Sequence, residues 1–168
     1  DAFCKWLTVE DKEGRRYFLP DERQWQAAAA GKNKREYPWG EKWDKTKCNN
    51  GELNLEKTTP VGIFLNGNTP EGIADMAGNI WEWTISDYHS KKVMGDFRFD
   101  EEIQKLWNKA DLDNYVKKFN EKDRQLPVLR GGSWFNGALF CRCAYRYRNR
   151  PNSRYNNAGF RCARTLKL

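Results

Sequence analysis

At 168 residues the chain is long enough for one domain with a real core and short for two. Its 39% hydrophobic and 32% charged residues, with a mean hydropathy of -0.97, leave no apolar run able to cross a bilayer and no recognisable signal peptide. The formal charge of +7 invites a nucleic-acid reading, but 23 acidic residues are interspersed among 30 basic ones, which is the pattern of a mixed solvated surface and argues against nucleic acid as the partner.

The opening "DAFCKWLTV" spaces Phe3, Trp6 and Leu7 at helical intervals from the first residue, so a helix already under way is predicted there and a beginning upstream of Asp1 is expected. "KEGRRYFL" reads as a turn into a short strand stopped by Pro20. "PDERQWQAAAAG" carries entry residues Pro20 and Asp21, a run of alanines and an exit glycine, Gly31; this predicts a compact helix burying Trp25 and the alanines. From Gly31 to Gly72 the punctuation "PWG", "NNG", "TTPVG" and "NGNTPEG" breaks every period, and the aromatic content, 14% of the chain, predicts packed rather than loose connections. In "IADMAGNIWEWTISDY", Trp81 and Trp83 alternate about Glu82 as on a short strand, and a carboxylate so placed must find a donor or a cation. A helical insertion is predicted at about 96–124, where Ile103, Leu106, Trp107, Ala110, Tyr115, Val116 and Phe119 recur at helix-like spacing. "VLRGGSW" starts a strand and "AGFRCARTL" closes the chain as another, with Gly78, Gly131 and Gly132 where positive φ or close backbone approach is expected.

Cys4, Cys48, Cys141, Cys143 and Cys162 make an odd count with no zinc-ligand spacing, and read as structural, partly buried thiols rather than redox groups. Cys141 and Cys143, two apart on a predicted strand, would share one face. The single histidine, His89, lies in the polar "DYHSKK" without a nucleophile partner and reads as a solvated loop residue.

Taken together, "AFCKWL", "FLPDERQWQAAAAG", "YPWG", "TTPVGIF", "DMAGNIWEWT", "RGGSW" and "GFRCAR" resemble, in order and over nearly the whole chain, the formylglycine-generating-enzyme family, whose domain is C-type lectin-like. The resemblance implies a single α+β domain over residues 1–168, with short twisted antiparallel strands, two or more helices and much irregular structure. Read by themselves, Trp81, Trp83, Trp134 and Phe160 are expected core aromatics. Family members sometimes hold calcium, and the positions to watch here are Asn49, Asn79 and Glu82, a ligand set too sparse to assign the ion. No other cofactor is implied.

Catalytic members of the family use a copper-binding C-x4-C pair whose second cysteine stands directly before "YRYR". Here "YRYR" runs from Tyr145 to Arg148, and the two thiol positions fall on Leu139 and Ala144, neither of which can ligate a soft metal. The resemblance therefore implies a chain without catalytic residues, with a formylglycine-generating-type oxidase and a basic nucleic-acid-binding domain as the alternatives. It is strongest to the variable proteins of diversity-generating retroelements, in which adenine-directed mutagenesis turns Asn codons into Tyr, Phe, Leu, Ser, Gly, Arg and Asp but not Lys, Met or Trp. Residues 135–157 contain none of those three excluded types, nor Glu or Gln. On this reading a ligand-binding variable region comprises Phe135, Asn136, Gly137, Leu139, Phe140, Tyr145, Tyr147, Asn149, Arg150, Asn152, Ser153, Tyr155, Asn156 and Asn157. Tyr and Phe offer contact area at low rotamer cost, and Ser, Gly and Asn adaptable polar contacts. A protein or cell-surface ligand is the expected partner, and compartment stays unassigned.

Overall fold

A computed structural model describes residues 2–89 and 126–166. The insertion predicted at 96–124 lies outside them. Two helices open the chain, α1 (Ala2–Glu10) and α2 (Glu22–Ala30), separated by the two-residue strand β1 (Tyr17–Phe18). The second helix is started by side chains and stopped by a backbone turn. Asp21 accepts from the amides of Arg23 and Gln24, both at 2.8 Å, while the Gln24 side chain accepts from the Asp21 amide at 2.9 Å. That reciprocal box satisfies donors that a helix start otherwise leaves unpaired. Gly31, at φ 62°, turns the chain out and returns its N–H to the Ala27 carbonyl. Trp25, Ala29 and Ala30 then face Met76 and Cys143 in a buried cluster.

Four further strands follow: β2 (Trp81–Asp87), β3 (Pro127–Arg130), β4 (Tyr147–Arg148) and β5 (Ala158–Gly159), in the sheet order β4-β3-β2-β5. β3 is buried along its whole length and lies antiparallel to β2, with Glu82 opposite Arg130. β5 departs from the all-antiparallel expectation, because the long turn-rich segment before it carries the chain across so that it enters beside β2 in the same direction.

The closing "AGFRCARTL" is two strands rather than one. After β5 the chain leaves the sheet and forms β6 (Ala163–Arg164), which pairs with β1 in a separate two-stranded sheet. The three residues between them have their own partners. Phe160 packs edge-on against Phe3, Arg161 pairs with Glu82, and the Cys162 thiol sits 3.4 Å from that of Cys4. Phe160 is consequently 45% exposed, not the core aromatic expected. Trp134 is only half-buried and Trp83 likewise, whereas Trp81 is buried.

Between α2 and β2 the chain has only three short 3-10 turns, at Lys45–Lys47, Gly51–Leu53 and Leu65–Gly67. Side-chain amides do the work of regular structure there. Fully buried Asn50 donates to the Lys45 and Cys48 carbonyls, both at 2.7 Å, and accepts from the Glu52 amide. Tyr37, Trp39 and Trp43 pack on one another with centroids 5.2 to 5.8 Å apart. Gly78, at φ 71°, lets this segment press on β2's entry: a Cβ there would collide with the Asn49 carbonyl.

Candidate functional site

The segment at 135–157 is bracketed by Gly131 and Gly132, both at positive φ as expected, and by β5. It contains only the two-residue β4 as regular structure, so its shape depends on bonds to the frame. Trp134 N–H donates to the Asn79 carbonyl, and Gly51 N–H to that of Asn136. Cys143 N–H donates to Glu36, and Trp81 N–H to the Asn157 carbonyl. From below, fully buried Arg130 reaches up from β3 and donates to the carbonyls of Ala144 and Tyr145 at 3.0 and 2.7 Å. Burial pushes this guanidinium down to about 10. Arg130 also lies over the Trp25 ring and donates to Gln26.

On that support the candidate binding residues divide by position. Phe135 is 72% exposed, Leu139 51%, Tyr147 44% and Tyr155 54%. Arg150, Asn152 and Asn156 are exposed as well. Tyr145 and Phe140 are half-buried, packed with Tyr147 around Trp81 at centroid distances of 5.2 to 6.4 Å. Gly137 and Ser153 are half-buried too. Three asparagines bond to the frame or a turn: Asn136 Oδ1 accepts from the Ser133 hydroxyl, Asn157 Nδ2 donates to it, and Asn149 Oδ1 accepts from Arg150 N–H and the Ser153 hydroxyl.

Glu82, buried on β2, forms an ion pair with the partly buried Arg161. Glu82 accepts from Arg161 Nε at 2.5 Å and Nη2 at 2.6 Å, and from the Trp25 indole at 2.6 Å. Glu82 thus finds both the donor and the cation that its position between two tryptophans demanded. Arg161 comes from the tail of the chain and also donates to the carbonyls of Ala74 and Asp75, and the nearby carboxylate holds its charge above the usual arginine range although burial opposes this. Sequence reasoning missed both Arg161 and Arg130. The signal available was an arginine in each of the two quoted motifs, "GFRCAR" and "LRGGSW".

The calcium candidates do not form an oxygen cage. Asn49 Nδ2 donates to Asn79 Oδ1 at 3.3 Å, so those two meet, but as a pair of neutral amides. Asn49 Oδ1 is buried without a partner among the described residues, and Asn79 Oδ1 already accepts from Thr59 N–H. Both Glu82 oxygens are committed to Arg161 and Trp25. A hard divalent cation needs six to eight oxygens, with carboxylates among them, and these residues do not fit it.

Cys141 and Cys143 do not lie on a strand but in a run of turns, and they point into different clusters. Cys141 packs with Cys48 and Ala77, Cys143 with Trp25 and Met76. Contact with Cys48 together with burial pushes the Cys141 thiol up, and burial pushes Cys143 up to about 12. Both shifts favour the neutral thiol over the reactive thiolate. The two positions aligned with the family's copper pair, Leu139 and Ala144, are both exposed. Among the described residues no three His, Cys, Asp or Glu side chains gather as a metal site, and no helix is long and apolar enough to cross a membrane.

The chain is 34% identical over 157 residues to the serine/threonine-protein kinase Pkn1 of Chlamydia trachomatis, covering 89% of this chain and 21% of that protein. It is 30% identical over 178 residues to the inactive C-alpha-formylglycine-generating enzyme 2 of Bos taurus, covering 96% of this chain and 46% of that one. The chain thus spans from about a fifth to about half the length of these curated relatives. Among solved structures, the Treponema denticola variable protein 1 superposes with a TM-score of 0.61 at 23% identity, over 90% of this chain and 49% of that one; this is a likeness of fold. The profile of the sulfatase-modifying factor enzyme 1-like domain matches residues 1–166, and the chain belongs to that family.

Proposed function

We propose that this chain is a non-enzymatic ligand-binding domain, and that residues 135–157 form a diversified surface of the kind carried by retroelement variable proteins. One observation carries the reading. The large side chains assigned to that surface, Phe135, Leu139, Tyr147 and Tyr155, stand 44 to 72% exposed above a frame whose own residues are buried. Exposed aromatic and aliphatic groups on a well-anchored base are what a recognition surface needs. The fold shared with a variable protein of Treponema denticola supports it.

The decisive experiment is genomic. Beside the coding sequence, a near-identical repeat of the codons for the variable segment should lie close to a reverse-transcriptase gene and differ from it at adenines. A locus with neither would sink the diversification half of the proposal and leave an undiversified binding domain.

The non-enzymatic half has its own test. With Leu139 and Ala144 in place of thiols and Cys141 and Cys143 buried, the positions of the family's copper pair offer a substrate no thiols. Incubation with a sulfatase-type cysteine peptide, Cu(I) and oxygen is expected to yield no aldehyde above a protein-free control. Aldehyde formed in proportion to protein would reinstate the oxidase reading.

A further inference from the structure

Residues 135–157 carry five arginines and no lysine or acidic residue. The frame neutralises two of them. Arg142 pairs with Glu36 at 3.2 Å, and Arg146 grips Glu22 through Nε and Nη2. Arg148, Arg150 and Arg154 are exposed and, among the described residues, meet no carboxylate. Arg148 is nonetheless held in place: its guanidinium lies 4.5 Å from the centroid of Tyr88, whose ring also carries Arg146 at 4.6 Å. Glu22 is already engaged by Arg146, so among the described residues the Tyr88 ring steadies the fork of Arg148 and no carboxylate neutralises it.

Alternation along β4 sets the rest of the geometry. Tyr147 leans on Trp81 and Arg148 on Tyr88, so this edge strand of the sheet shows an aromatic side and a cationic side. Resting on the ligand-binding reading above, we propose that the ligand is an acidic protein surface and that Arg148 is its principal charged anchor. A guanidinium presents paired donors matched to a carboxylate, and one already stacked loses little rotamer freedom on binding. Exposed Tyr147 and Leu139 add apolar area that a partner with side chains can cover. Nucleic acid fits less well. Three free cations give only weak, salt-sensitive phosphate binding. The rings of Phe140, Tyr145 and Tyr147 are turned onto Trp81 instead of forming a platform for bases.

The test pans a phage-displayed random peptide library on the immobilised full chain at physiological ionic strength, then measures selected peptides against single variants. Enriched peptides should cluster Asp or Glu beside an aromatic or aliphatic residue. Arg148→Gln should weaken them at least about tenfold, whereas Arg142→Gln, whose charge already rests on Glu36, should change binding less than about twofold. Unchanged melting of Arg148→Gln confirms that the loss is one of contact, and Arg150→Gln repeats the test at an exposed turn position. Peptides enriched with no acidic bias and indifferent to Arg148→Gln would overturn this inference while leaving the binding-surface reading intact. No enrichment at all counts against both. A labelled single-stranded oligonucleotide that binds more tightly than the acidic peptides would assign the face to nucleic acid and overturn it as well.

Discussion

Glu82→Ala should lower the melting temperature by roughly 6 to 20 °C, the shift that a loss of about 3–5 kcal/mol produces in a domain of this size. The reason is what the substitution leaves behind. Glu82 is the shared acceptor of Arg161 and the Trp25 indole, so its removal strands a partly buried guanidinium and a buried N–H at once. It also loosens three segments distant in sequence, α2, β2 and the chain after β5. Glu82→Gln, which keeps the shape and one acceptor oxygen, should fall between wild type and Ala. Replacing both Glu82 and Arg161 by methionine should recover part of the loss, because a removed pair leaves no uncompensated charge. A Glu82→Ala protein that melts within about 2 °C of wild type would mean that the pair does not hold the frame together.

The second large effect separates frame from surface. Trp81→Ala removes a buried ring on which Phe140, Tyr145 and Tyr147 converge, and should cost about 3–5 kcal/mol. Phe135→Ser, Leu139→Ser and Tyr155→Ser, each at an exposed position, should shift stability by no more than about 0.5 kcal/mol while abolishing capture of a selected ligand. Phe160→Ala belongs nearer the second group, since its ring is half-exposed against Phe3. Denaturant melts of both sets decide the matter. Equal losses from the surface set and from Trp81→Ala would make residues 135–157 core.

Local chemistry explains what was legible in the sequence. Helix α2 was readable because its entry, exit and buried stripe lie within eleven residues, Asp21 to Gly31. Glu82's need for partners was readable from its two tryptophan neighbours, but the partner was not, because Arg161 is 79 residues away and only the tertiary fold brings it in. The same distance problem hid the meeting of Cys4 with Cys162, 158 residues apart. β5 and β6 are two residues each, too short to carry a period, so their separate sheets and the parallel pairing with β2 left no trace in the pattern. The cysteine error had a different origin. Cys141 and Cys143 were placed on a strand by their spacing, while the chain there is a series of turns that sends each thiol into its own cluster. Within 135–157 the expected surface residues divide between exposed ones such as Phe135 and Tyr155 and half-buried ones such as Phe140 and Tyr145, because residue type shows polarity and size but not which carbonyls hold the segment.

The hold that Arg130 and its neighbours exert on this segment acts mainly on peptide groups. Arg130 takes the carbonyls of residues 144 and 145, Gly51 that of 136, Trp81 that of 157, and Asn79 receives the N–H of 134. Every amino acid brings the same carbonyl, so these tethers are blind to which side chain stands above them. Replacing Tyr145 by Ser or Asp leaves the Arg130 bond with an identical acceptor, as replacing Asn136 by Tyr would leave the bond from Gly51. The exceptions are side-chain bonds, Ser133 with Asn136 and Asn157 near the ends of the segment and Glu36 with Arg142 and Glu22 with Arg146 in its middle. Where the segment is fastened through its backbone, a side chain can be changed without refastening the segment, and that tolerance comes from the choice of bonding atoms.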